Sequence, residues 1–385
     1  MATAARQAGA LRLHLNENTA GCSPAVIEAL RALTPADVAT YPDYDALTAR
    51  LARWLGVAPA SVIVTNGLDE GLYAVAQYGG AEAPPLQAGD GSPGRGATGP
   101  GATGLQPRRG DASEHGGAGL QPRPAAPRAQ FVQVDPAFEM FEEFTRIVGA
   151  ALVRVSPEPD FAFPLETVLA AIGPATRVVY LVDPNNPTGI PLPDGAVDAI
   201  AAAAPQALVL VDEAYADFSG RTAVGGALDR HANVVVGRTF AKGHGLAGLR
   251  IGALVAQPDT AARLRTVLPP FNVNVAAVAA LTAALDDEAH LRWTVAQAAE
   301  SRALIEAFCL RHGLTCWPSA ANFVLVRVGP TAGAAAEALA ARGILVRDKS
   351  TAPGCRGCLR ITAGVVAHTT TTLTALEDIL ATRPN

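Results

Sequence analysis

The sequence predicts an α/β protein: a mostly parallel sheet covered by helices, followed by a second, smaller α/β unit. Three observations carry this. Short apolar runs alternate with stretches of helical periodicity between residues 57 and 256, the rhythm of strand–helix–strand units. Several of those runs end in polar residues, among them Asp183, Asp212 and Arg238, and the carboxyl ends of parallel strands are where such sheets bind ligands. Beyond residue 257 the pattern shifts to turns rich in Pro and Gly, two long helices and a compact set of strands.

Taken in order, residues 13–18 form a short strand or arm. Ser23 caps a helix over 25–33, with Pro24 at its first position. Tyr41-Pro42-Asp43-Tyr44 turns into an amphipathic helix with Leu47, Leu51 and Leu55 on one face. Residues 57–64 leave that helix and become a strand. Thr65-Asn66-Gly67-Leu68-Asp69-Glu70 then joins the strand to a helix beginning near Gly71. It is either an ordinary capped start or a phosphate seat, since free N–H groups and the positive end of the helix dipole meet there. Residues 89–127 are built from Gly, Pro, Ala, Arg and Ser, with Gly-Leu-Gln-Pro-Arg at 104–108 and again at 119–123. So little apolar surface cannot offset the entropy of ordering, which predicts a mobile surface excursion.

Strands follow at 131–134, 150–155, 177–182, 207–211 and 232–237, interleaved with helices at 139–148, 165–171 and 197–204. Residues 251–256 are a strand and 260–268 a helix. After a turn at 269–274 come helices at 275–284 and 288–309. The last unit has strands at 313–317, 322–328, 344–346 and 358–362, with helices at 332–341 and near 373–380. The domain reading is an arm and part of the small domain at 1–35, a large domain at 36–257 and a small domain at 258–385.

Bulk properties narrow the function. A chain of 385 residues, 49% hydrophobic and 17% charged, can bury a large core, and two domains are the default. Its formal charge is −5 and its basic residues are scattered, which argues against nucleic-acid binding. The most apolar runs, such as 207–211, fall far short of a bilayer span, and residues 1–10 lack the apolar core of a signal peptide. Five cysteines, Cys22, Cys309, Cys316, Cys355 and Cys358, are too scattered for a disulfide framework. Cys355 and Cys358 read as a pair of packed thiols rather than a zinc site, and the expected compartment is a reducing cytoplasm.

Lysine is scarce: only Lys242 and Lys349 occur among 30 basic residues. Lys242 stands between the apolar run 232–237 and a glycine-dense turn. It is either an incidental charge or an amine kept because arginine cannot attack a carbonyl, which would point to an imine-forming cofactor. Asp212 closes the apolar run 207–211, where a carboxylate is costly to desolvate without a cation opposite.

The stretch Arg238-Thr239-Phe240-Ala241-Lys242-Gly243-His244-Gly245-Leu246-Ala247-Gly248-Leu249-Arg250 resembles the lysine segment of the fold-type I pyridoxal-phosphate aminotransferases, in particular the histidinol-phosphate aminotransferase group. Val211-Asp212-Glu213-Ala214-Tyr215 and Pro184-Asn185-Asn186-Pro187-Thr188-Gly189 extend the likeness, which covers nearly all the chain outside 89–127. It implies a large domain with a mostly parallel seven-stranded sheet between helices, plus a smaller α/β domain. The implied cofactor is pyridoxal 5'-phosphate. By that match Lys242 binds it covalently and later acts as base, Asp212 holds the ring nitrogen, and Tyr215 and Asn186 contact the 3′ oxygen. Phe138 stacks on the ring, and the N–H groups around Leu68 and Asp69, the Thr239 hydroxyl and Arg250 take the phosphate. Tyr41 corresponds to a tyrosine reaching the neighbouring subunit's phosphate, which implies a homodimer.

Arg360 matches the arginine for an α-carboxylate and Arg347 a further basic residue for a substrate phosphate, with Asn18 and Asn186 also at the substrate. Departures are Ala137 and Phe138 for a Thr-Tyr pair, Ala241 for serine, and Thr19-Ala20-Gly21 where Pro-Tyr-Gly is common. The implied reaction, a step of histidine synthesis, moves an amino group between L-histidinol phosphate and 2-oxoglutarate. An aromatic aminotransferase or a decarboxylase of a phospho-amino acid would use the same cofactor residues. A cofactor-dependent transcription factor would need a DNA-binding segment for which neither terminus has room or charge.

Overall fold

The computed structural model describes residues 9–80 and 128–381; the low-complexity excursion expected at 89–127 lies outside them. In chain order the elements are β1 (Leu11–Leu13), α1 (Pro24–Arg31), α2 (Pro35–Ala39), α3 (Asp45–Leu55), β2 (Val62–Thr65), α4 (Gly67–Gly80), β3 (Gln130–Val134), α5 (Glu139–Ile147), β4 (Ala151–Val155), α6 (Leu165–Ala171), β5 (Thr176–Val182), α7 (Ala196–Ala203), β6 (Leu208–Asp212), α8 (Ala216–Ser219), α9 (Ala227–Arg230), β7 (Val234–Thr239) and β8 (Gly252–Ala256). Then follow α10 (Pro258–Arg265), α11 (Val275–Asp286), α12 (Glu288–Arg311), β9 (Thr315–Cys316), β10 (Phe323–Arg327), α13 (Ala332–Ala341), β11 (Ile344–Asp348), β12 (Cys358–Thr362) and α14 (Val366–Ala381).

Seven strands form one sheet in the order β2-β8-β7-β6-β5-β3-β4. Pairings from β4 through β7 are parallel, and β8 runs against both β2 and β7, so all strands but β8 share a direction. The central strands read as unbroken apolar runs because both faces are covered. Alternate residues go to opposite faces. Val178, Tyr180, Leu208 and Leu210 enter the core beneath α4 and α5, while Val179, Leu181, Val209 and Val211 pack beneath α6 and α7. The same alternation puts Asp212 on the α4 side, together with Tyr180.

The second sheet has the order β1-β11-β12-β10-β9. β1 pairs parallel to β11, which brings the N-terminal arm into a sheet otherwise made by the C-terminal third. Leu13 packs there with Ile305, Phe308, Leu339, Leu359 and Leu376.

Three local differences from the sequence reading have physical causes. α10 and α11, expected to open the second unit after 257, pack on the large sheet. Ala261 and Leu264 join the core under α4, and Ala280 and Leu281 meet Val62, Val64 and Phe240. The turn-rich stretch before α11 resembles a linker, but Val273 is buried in the core with Phe240 and Asn272 Nδ2 donates to Val64 O, which ties it to the large unit. α12 bridges the two sheets, with Ala298 against Tyr215 and Phe323 and with Ile305 in the small core.

α14 begins at Val366, not near residue 373. β-Branched threonines argue against a helix, yet Thr370, Thr371 and Thr372 each donate to the carbonyl four residues back, and Leu373, Leu376 and Ile379 face the core. The strand expected at 313–317 shrinks to Thr315–Cys316. At α1 the cap forms as expected, with Ser23 Oγ accepting from Ala25 N–H at 3.1 Å. Among the described residues no helix is long and apolar enough to cross a membrane, and no group of three or more His, Cys, Asp or Glu could hold a metal ion. Cys355 and Cys358 are buried beside Trp317.

Candidate active site

The carboxyl ends of β5, β6 and β7 open on one edge of the large sheet, and the functional candidates gather there. Asp212 ends β6 in full burial. Its Oδ2 accepts from the Tyr180 hydroxyl at 2.6 Å and its Oδ1 from Ala214 N–H at 3.0 Å. Burial pushes the carboxyl up to about 6, against the two hydrogen bonds, which favour its ionised form. Among the described residues it has no basic partner within ion-pair reach.

Lys242 lies three residues past β7. Its Nζ donates to the Leu15 carbonyl at 3.0 Å. Protein atoms surround the side chain, yet part of its surface stays open to a cavity. Desolvation, followed by the charge of Arg360, pulls the ammonium down to about 8.

Tyr215 is buried between two amides. Its hydroxyl accepts from Asn16 Nδ2 at 3.0 Å and from Asn186 Nδ2 at 3.3 Å. That uses both lone pairs and leaves the O–H to donate. The loop after β5 fixes Asn186: Asn185 Nδ2 donates to Pro136 O and Thr188 Oγ1, and Gly189 N–H to Asn185 O. Asn186 Oδ1 in turn accepts from Arg360 Nη1 at 2.5 Å.

At the other end of the site β2 passes through Gly67 into α4, whose first-turn N–H groups have no partner within the helix. Gly67 has φ +73°, and a Cβ there would stand 2.6 Å from Arg250 Nη2. A Cβ on Gly252 would stand 2.6 Å from Leu68 N. Both glycines are therefore needed to bring Arg250 against the start of α4. Arg250 itself pairs with Asp69 at 2.8 Å. The Thr239 hydroxyl accepts from Ala241 N–H at 3.2 Å.

Two adjoining cavities result. The first, about 140 Å³, is lined by every expected cofactor residue except Tyr41: Leu68, Asp69, Phe138, Asn186, Asp212, Tyr215, Thr239, Lys242 and Arg250. The second, about 160 Å³, is lined by His14, Asn16, Glu139, Arg347, Lys349 and Arg360, and it shares Phe138, Asn186, Tyr215 and Lys242 with the first. Arg347 and Arg360 face each other in register across β11 and β12. Arg360 is buried, with Nη2 donating to His14 O at 2.7 Å.

Two expected residues stand elsewhere. Asn18 donates to Gly243 O and Thr294 Oγ1, so it clamps the lysine loop from behind; the arm residues at the cavity are His14, Leu15 and Asn16. Tyr41 is 75% exposed and stacks on Phe271, with ring centroids 4.3 Å apart.

Sequence reasoning missed Tyr180, Asn16, Glu139 and Lys349, and it gave no role to Arg238. The Arg238 side chain is buried, pairing with Glu213 at 3.1 Å and Asp217 at 2.9 Å and lying over Trp54. Burial alone would raise Asp217, but His244 and Arg238 hold it below its usual range. The lone hydroxyl in the apolar run 177–182 could have signalled Tyr180, and the scarcity of lysine could have signalled Lys349.

Comparison with known proteins agrees with this geometry. The family model for aminotransferase class I and II matches residues 122–379. Histidinol-phosphate aminotransferase 1 of Thiobacillus denitrificans is 34% identical over 98% of this chain and 87% of its own length. The Rhodospirillum centenum histidinol-phosphate aminotransferase is 35% identical over 96% and 91%. Among solved structures, that of histidinol-phosphate aminotransferase from Sinorhizobium meliloti in complex with pyridoxal-5'-phosphate superposes with a TM-score of 0.76 at 28% identity, covering 97% of this chain and 91% of that one.

Proposed function

Since the chain belongs to the class I and II aminotransferases, we propose that it moves an amino group between L-histidinol phosphate and 2-oxoglutarate, giving imidazole acetol phosphate and L-glutamate, with pyridoxal 5'-phosphate as cofactor. The observation that carries this reading is the pair of in-register arginines, Arg347 and Arg360, lining a cavity that contains Lys242. One anion pocket beside a reactive amine can receive the phosphate of one substrate and the α-carboxylate of the other in alternate half-reactions.

The residues fit the cofactor. Asp212 is a buried carboxylate with no ion-pair partner among the described residues, suited to a protonated ring nitrogen, and the start of α4 with Arg250 suits a phosphate. When bound, pyridoxal 5'-phosphate supplies an aldehyde for an amine and a ring that accepts the electrons of a broken Cα bond. This chain supplies the rest. Lys242, with its ammonium at about 8, has roughly a tenth of its amine neutral at pH 7, where an exposed lysine has almost none. The neutral amine would take the proton from the Cα of the amino donor and, in the opposite half-reaction, give one to the Cα of the acceptor, and the Leu15 carbonyl would steady the ammonium so formed. Asp212 would keep the ring nitrogen protonated, and the free O–H of Tyr215 would be available to the 3′ oxygen. Arg360 and Arg347 orient the anionic end of the substrate.

The reading includes a homodimer. Tyr41 and Phe271 form an exposed aromatic patch that takes no part in their own chain's cofactor cavity. A second copy covering the patch would bring Tyr41 to the partner's phosphate seat, and the molar mass in solution tests this.

The reaction is tested by mixing cofactor-loaded protein separately with histidinol phosphate, phenylalanine and glutamate while following the cofactor's visible absorbance. Prompt bleaching by histidinol phosphate and glutamate but not phenylalanine is expected. Much faster reaction with phenylalanine would overturn the donor assignment, and release of carbon dioxide would replace transamination with decarboxylation.

A further inference from the structure

Both lysines of the chain line the same cavity. Lys242 is accounted for above; Lys349 is not. It directly follows β11, where its N–H donates to Cys358 O at 2.9 Å. Its side chain is buried and donates to Glu139 Oε1 at 2.9 Å. Glu139 is the first residue of α5, next to Phe138, and its own side chain is largely exposed. The ion pair thus ties the large sheet's α5 to the end of a strand in the small sheet. An ammonium has three protons, and Glu139 takes one.

Besides Lys242, three positive side chains, Arg347, Lys349 and Arg360, line this cavity with Glu139 as the one carboxylate among its lining residues, so these four groups carry two net positive charges. A single carboxylate needs no more than Arg360 and leaves an excess of buried positive charge, which is costly. A phosphate monoester, close to a dianion at neutral pH, matches the site. The Lys349 bond and charge hold Glu139 below the usual carboxylate range, against partial burial, with Arg347 and Arg360 adding to the effect. Glu139 therefore stays ionised and pins the ammonium in place.

We propose that Lys349 is a specificity-determining residue that reads the second negative charge of a phosphate-bearing substrate, with Glu139 as the positioning residue that aims its ammonium. This deepens the histidinol-phosphate reading and rests on it. A compact ammonium serves phosphate as a point charge, without the flat fork that arginine would bring into a cavity already holding two.

The test uses cofactor-loaded protein, in which the seat beside Arg250 is filled, and calorimetric titration with inorganic phosphate and with acetate. Lys349→Met should weaken phosphate on the order of 30-fold, the loss typical of removing one partner of a buried charge pair, and leave acetate nearly unchanged. Lys349→Arg should recover part of the phosphate binding, and Glu139→Gln should retain most of it. The KM for histidinol phosphate should rise in Lys349→Met far more than kcat falls. Unchanged phosphate binding in Lys349→Met would overturn the proposal. So would equal loss of phosphate and acetate in both the Lys349 and Glu139 variants, since the pair would then be only a tie between elements. If phosphate binding depends on Lys349 while histidinol phosphate fails to react with the unaltered protein, the anion site stands and the donor assignment falls.

Discussion

Removing one oxygen atom, by Tyr180→Phe, isolates the electrostatics of Asp212. The Tyr180 ring stacks on Phe141 with centroids 4.2 Å apart, and its hydroxyl donates to Asp212 Oδ2 at 2.6 Å. Phenylalanine can therefore keep the packing and lose only the bond. A hydrogen bond to a charged group is worth about 1.5–3 kcal/mol, and one pKa unit corresponds to ~1.36 kcal/mol. The protonated carboxyl would lose only a neutral bond worth about 1 kcal/mol, so the remaining difference, roughly 0.5–2 kcal/mol, should raise the Asp212 carboxyl above its present value of about 6 by about half to one and a half pH units, with Ala214 N–H still donating to the charge.

The sign follows from proton uptake. The folded-state pKa of Asp212 lies above the ordinary value of 3.8, so its favourable contribution is complete below that value and is lost as pH rises through about 6. In the variant that loss continues to higher pH. Urea unfolding of the cofactor-free protein should show a penalty of about 1 kcal/mol at pH 5, where a neutral hydrogen bond is lost, growing to about 1.5–3 kcal/mol at pH 8, where a charged one is lost. A penalty equal at the two pH values would show that Tyr180 does not support a buried negative charge, and would refute the account of Asp212.

Two further outcomes follow from buried charges. The rate at which cofactor-free protein takes up pyridoxal 5'-phosphate should climb with pH and level off near 8, where the Lys242 amine becomes neutral; continued rise toward 10.5, the ordinary lysine value, would contradict the desolvated amine. Arg238→Met removes the guanidinium shared by the buried Glu213 and Asp217 carboxylates, leaving His244 beside Asp217, and should cost about 3–5 kcal/mol in thermal unfolding; a change under 1 kcal/mol would mean that the cluster is hydrated.

What the sequence made legible was local. The apolar runs of β5, β6 and β7 announced a sheet covered on both faces because parallel strands need no polar face. The polar residues closing them marked the ligand edge, and the motif around Lys242 led to the cavity through residues close to it in the chain. The less legible features depend on pairings between distant segments. β1 joins β11 across more than 300 residues, and that register delivers the Leu15 carbonyl to Lys242 and Asn16 to Tyr215. Nothing in the residues 13–18 says which asparagine turns inward, and Asn18, the expected one, turns outward to Gly243.

Tyr180 looked like another apolar strand residue until the pleat set it on the same face as Asp212. Glu139 and Lys349 are 210 residues apart. Each reads alone as a surface charge, and only the packing of α5 against the end of β11 joins the buried Lys349 ammonium to the exposed Glu139 carboxylate. Composition held the one clue that crossed this distance. A chain that replaces lysine with arginine almost everywhere has a physical reason for each lysine it keeps, because the compact, deprotonable ammonium is what arginine cannot supply. The clue named both amines of the site, and it could not tell the one that exchanges protons from the one that stays charged. Their surroundings separate them: Lys242 donates to a carbonyl and is repelled by the Arg360 guanidinium, whereas Lys349 donates to a carboxylate.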